Sequence, residues 1–84
     1  MSDSLGEIRA ALAEVSERLQ TAYGCVRSAE RGIAEAAALL TELDQLHHER
    51  LVPTELERAD EELTRSLGLI SGGADSVAAL DARL

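Results

Sequence analysis

The chain has 84 residues and so holds one domain at most. It contains 14 Ala and 14 Leu, a single aromatic residue (Tyr23) and few β-branched residues, a mixture too poor in bulky side chains to fill an α/β or β-sandwich core. The net charge of −8 argues against nucleic acid and against anionic membrane surfaces as partners.

Helix 1 is predicted over about residues 5–50. Apolar residues recur at alternating spacings of three and four in two series. One is Leu5, Leu12, Leu19, Val26, Ile33 and Leu40; the other is Ile8, Val15, Ala22, Ala29, Ala36 and Leu43. A heptad unbroken over nearly six repeats is the signature of a coiled-coil seam. Ser4, with Glu7 three residues later, has the pattern of a capping box. Gly24 and Gly32 weaken the helix without shifting its phase.

Pro53 ends that pattern and places a turn at about 51–54. Thr54 and Glu57 then suit the start of helix 2, predicted over about 55–83. Its seam is Leu56, Leu63, Ile70, Val77 and Leu84, interleaved with Ala59, Ser66, Gly73 and Leu80. The fold class expected is therefore all-α. It is one long antiparallel helical hairpin spanning residues 1–84, a coiled coil that pairs with a second copy into a four-helix bundle.

Folding the chain about Pro53 makes facing positions add to about 106. Leu40 then meets Ser66, Ile33 meets Gly73, Val26 meets Leu80, Leu43 meets Leu63, Ala36 meets Ile70 and Ala29 meets Val77. These residues form the expected hairpin core, in which most layers set a large side chain against a small one. In that register Leu84 reaches only Ala22. Leu5, Ile8, Leu12, Val15 and Leu19 are left as a free stripe, the expected self-association or partner surface. Leu39, Leu46, Ala37 and Leu51 on helix 1, with Leu67, Leu69 and Ala74 on helix 2, widen the apolar seam beyond what two helices need.

The segment from Ser71 to Ser76, Ser-Gly-Gly-Ala-Asp-Ser, resembles the phosphate loop of the ATP pyrophosphatases. That fold needs a full parallel sheet, and only eight residues follow Ser76, so the segment is read as a thin stretch of helix. His47 and His48 are adjacent and point about 100° apart on a helix, so they do not chelate one metal together. Asp44 with His48 makes at best half a site. No catalytic residue, cofactor or metal is assigned. Cys25 lies beside the seam and reads as a small packed hydrophobe, with an intermolecular disulfide as the alternative. No basic start with an apolar run marks a signal peptide, and no apolar run is long enough for a membrane span, so a cytoplasmic location is expected.

All eight basic residues are Arg, and with the abundant Ala this points to a GC-rich, actinobacterial-type genome. Two helices about a central turn in a chain of this length resemble the WXG100 proteins of type VII secretion. Those are small helical hairpins that pair into antiparallel homo- or heterodimers. The turn here reads Arg50-Leu51-Val52-Pro53-Thr54, without the family's Trp-x-Gly, and Tyr23 is followed four residues later by Arg27 rather than an acidic residue. The function expected is a non-enzymatic interaction or assembly module, self-associating as a homodimer. Two other roles remain open: a secreted WXG100-like substrate or heterodimer partner, or an antitoxin-like regulator that binds a basic protein. A heterologous helical protein is the partner in the latter cases.

Overall fold

The computed structural model describes residues 3–47 and 50–84, and for His47 the backbone alone. Two α-helices make up the described chain. Helix α1 runs over Ser4–His47 and α2 over Thr54–Arg83, side by side and antiparallel in a rod of 71 × 15 × 14 Å. The long antiparallel hairpin expected from the heptads is the fold. Among the described residues no helix is long and apolar enough to cross a membrane.

The ends of the helices differ from the expected caps. The α1 cap is Asp3, whose carboxylate Oδ1 accepts a bond from the Gly6 N–H at 2.9 Å while its carbonyl accepts from Glu7. Ser4 is already inside the first turn, because a carboxylate one position earlier reaches the same free N–H groups and also suits the positive helix end. Helix α2 starts behind Pro53, an extended residue that offers no side-chain cap. Thr54 therefore occupies the first helical position. Glu57, expected to complete a capping box, forms an exposed ion pair with Arg50 at 2.5 Å.

The register also differs from the expected one. Thr64 donates a hydrogen bond to Glu30 at 2.9 Å. Leu19 and Tyr23 share a shallow groove with Ile70 and Ala74, and Ile33 and Ala37 share another with Leu56 and Asp60. Facing positions thus add to about 94 rather than 106, so α2 lies twelve residues, about 18 Å, further toward the start of α1. Helix α1 ends at His47 and α2 begins at Thr54, and Val52, just before α2, lines the same groove as Ile33 and Ala34.

This register alters the expected free stripe. Leu12 and Leu19 are half-buried, whereas Leu5, Ile8 and Val15 are exposed. In the expected core, Val26, Ile33, Leu40, Leu56, Leu63, Ile70, Gly73 and Val77 are half-buried. Ala29, Ala36, Leu43 and Leu80 are exposed instead. Among the described residues the most buried side chain is Leu67, at 9% exposure.

Candidate functional site

The buried and exposed rows have a simple helical origin. On α1 the row Leu12, Leu19, Val26, Ile33 and Leu40 points at α2. Residues four positions after a member of this row turn to one side of it, and residues three positions after turn to the other. Ser16, Glu30, Ala37 and Asp44, on the four-residue side, are half-buried with it, and Tyr23 in the same row is 38% exposed. The three-residue side holds Ile8, Val15, Ala22, Ala29, Ala36 and Leu43, and only Ala22 of these is half-buried. The second seam row of α1 is thus the polar one, because α2 settles on that flank.

Helix α2 is covered more evenly. Its central row is Leu56, Leu63, Ile70 and Val77. Leu67 and Ala74 cover the four-residue side, and on the three-residue side Ala59, Ser66 and Gly73 are half-buried while Leu80 is exposed. The Glu30–Thr64 bond and both grooves join the four-residue sides of the two helices. The three-residue sides therefore lie together on the opposite broad face of the rod. That face carries no charged residue in either row. Small residues occupy its centre, with Ile8, Val15, Leu43 and Leu80 toward its ends.

The outer edges are mixed. Cys25, Leu39 and Leu46 follow this face on α1 in a row that also holds Arg18, and on α2 Leu69, 71% exposed, stands in a row with Glu55, Glu62, Ser76 and Arg83. Cys25 is thus exposed and not the packed hydrophobe expected, because α2 lies on the other flank of its helix. The sequence pattern groups Leu69 with Leu67 as a widening of one seam. Two helical positions apart, they point about 160° away from each other, and only Leu67 meets α1's side of the hairpin. The grooved face, by contrast, carries Glu30, Asp44, Glu57 and Asp60.

The remaining candidates resolve locally. Residues Ser71 to Ser76 are continuous helix, and Ser76 Oγ donates to the Gly72 carbonyl at 3.0 Å. A phosphate loop needs free N–H groups, and inside a helix those groups are already bonded to carbonyls one turn earlier. A Cβ placed on Gly72 or Gly73 meets no atom within 4 Å, so these glycines do not serve the close helix approach expected opposite Ile33. His48 and the His47 side chain lie outside the described residues. Among the described residues no three potential metal ligands come together. Ion pairs are few and exposed, such as Arg18 with Glu14 at 3.0 Å, and contribute little.

Comparison of the chain with family models, with curated proteins and with solved structures found no match in any of the three.

Proposed function

We propose that the protein is a non-enzymatic helical association module that works by covering its uncharged face with other helices. One observation carries this reading: among the described residues Leu67 alone is buried, while an apolar face runs the length of the rod. Most helical stability in proteins comes from tertiary packing of an apolar face. A hairpin with so little interior stays folded by burying its second face against a partner. The cytoplasm suits it, since its one thiol, Cys25, is exposed and the chain relies on no disulfide.

The test is unfolding on dilution, followed by circular dichroism. Stability that depends on a partner falls as the protein is diluted. Loss of helix at low concentration, recovered at high concentration or by adding a binding protein, is the expected result. A chain that stays cooperatively folded as a 9.0 kDa monomer, with a melting temperature independent of concentration, overturns the reading.

A second reading follows from the hairpin layout. A WXG100-like chain would cover the same face with a different hairpin of the same kind, giving a heterodimer. Co-purification of such a hairpin at equal stoichiometry favours it.

A further inference from the structure

Resting on the association reading above, we propose that the occupant of this face is a second copy of the chain, docked antiparallel about a two-fold axis that passes beside Cys25 and Leu69.

The argument begins with area. The chain exposes 6426 Å². A compact monomer of 9.0 kDa presents roughly 4,900 Å². The excess, roughly 1,500 Å², is about twice the 800 Å² that each partner contributes to a standard interface. One further layer of two helices is of the right size to remove it, and a second copy brings that layer.

The register supplies the symmetry. With facing positions adding to about 94, Thr54 lies opposite Leu40 and Arg83 opposite Ala11. The 30-residue α2 is therefore centred on the 44-residue α1 and leaves similar overhangs, residues 4–10 and 41–47. A two-fold axis through the common centre lays each overhang on the other overhang of the partner.

The residues of this face then match in pairs; Ala22, Ala59, Ser66 and Gly73 among them are half-buried and the others exposed. On α1, Leu5 matches Leu46, Ile8 matches Leu43, Val15 matches Ala36 and Ala22 matches Ala29, all centred between Cys25 and Val26. On α2, Ala59 matches Leu80 and Ser66 matches Gly73, centred between Leu69 and Ile70. The two centres were found independently, one on each helix. They face each other in the hairpin to within one residue of the Glu30–Thr64 register. A self-complementary surface requires this of a two-fold interface, where residue i meets j and j meets i. The large aliphatics of each overhang meet large aliphatics, and the small centres pack together. At the α2 ends, Glu55 comes within one residue of the partner's Arg83. A heterologous partner places no such demand on where the two rows are centred.

The test uses the full-length chain. Light scattering is expected to give twice 9.0 kDa. A short bis-maleimide, which adds one thiol at each end, is expected to join two chains through Cys25, the position nearest the axis. Moving the thiol, with Cys25→Ala and Ala11→Cys together, is expected to abolish joining. In the antiparallel pair position 11 lies opposite position 40, about 44 Å from its own copy along the helix. Both substitutions fall on exposed helical positions, and circular dichroism checks that helix is retained. Joining at both positions means a parallel pair and overturns the proposal, as does a dimer that fails to join at Cys25. A monomer that is poorly helical at all concentrations and gains helix only when another protein is added overturns the second copy as occupant yet leaves the association reading standing. A monomer that stays folded overturns both. As an independent variant, Ala29→Asp is expected to return the mass to 9.0 kDa at concentrations where the parent chain is dimeric, since it sets a charge beside the axis. A dimer unaffected by that change overturns the assigned face.

Discussion

Thr64 and Glu30, separated by 34 positions in the chain, are joined by a 2.9 Å hydrogen bond on the rim of the hairpin. The bond is exposed and of modest strength, yet it reports the alignment of the two helices. Paired thiols test that alignment. In a Cys25→Ala background, Glu30→Cys with Thr64→Cys is expected to cross-link within one chain. Leu40→Cys with Ser66→Cys, which meet only if positions add to about 106, is not. Cross-linking of the second pair alone would restore the reversal at Pro53.

Leu67 and Leu69 are expected to separate folding from assembly. Leu67→Ala removes the most buried side chain and is expected to cost about 2–3 kcal/mol, the lower part of the range for leucine in a core. Leu69→Ala is expected to change hairpin helicity little while weakening the dimer. Equal loss of helix from both, at a concentration where the parent is fully assembled, would show that the two residues share one core.

Glycines on the outward sides of the rod mark places where the helices are weaker than they need to be. A Cβ at Gly24 or Gly68 meets nothing within 4 Å. Gly24→Ala and Gly68→Ala are each expected to stabilise the protein by about 0.5–1 kcal/mol, measured by urea unfolding. Gly73 also has open space around it, and it lies half-buried on the three-residue side of α2. Gly73→Leu is therefore expected to spare the hairpin and disturb the dimer, read as a drop in mass with helix retained in concentrated protein.

Helix capping gives a further contrast. Asp3→Ala is expected to cost about 1 kcal/mol, because the Gly6 N–H loses its side-chain acceptor. Ser4→Ala is expected to change stability by only a few tenths, since serine in the first turn is not the cap. Denaturant midpoints of the two variants decide between Asp3 and Ser4.

Leu12→Asp and Ile8→Asp probe the former free stripe. Leu12 is half-buried in the hairpin and Ile8 is exposed. The first is expected to fray the end of α2 as well as of α1, and the second to lower only the mass. Hydrogen exchange near Val77 to Leu84 distinguishes them: protection there should fall for Leu12→Asp and hold for Ile8→Asp in protein kept concentrated enough to remain assembled.

The heptads of Leu5–Leu43 and Leu56–Leu84 carried the all-α class, the two helices and the antiparallel hairpin, because helical periodicity and a proline act over a few residues. The row Leu12, Leu19, Val26, Ile33 and Leu40 was legible for the same reason. Which neighbouring row would be covered was not. Ala29 and Glu30 flank Val26 on opposite sides, and hydropathy favours Ala29, yet Glu30 lies at the seam with its carboxylate bonded at the rim. A long side chain can pack its stem and keep its charge in water, so pattern alone misjudges it. The register was equally out of reach, since Pro53 shows where a helix stops and not where the chain turns back. That is set by how the two helices pack, with Val52 and Leu56 lining one groove with Ile33 and Ala34, nearly twenty positions away. Local periodicity thus set the elements and their apolar rows. Their relative slide, and with it the face left open between Ile8 and Leu43, arose only when the two helices met.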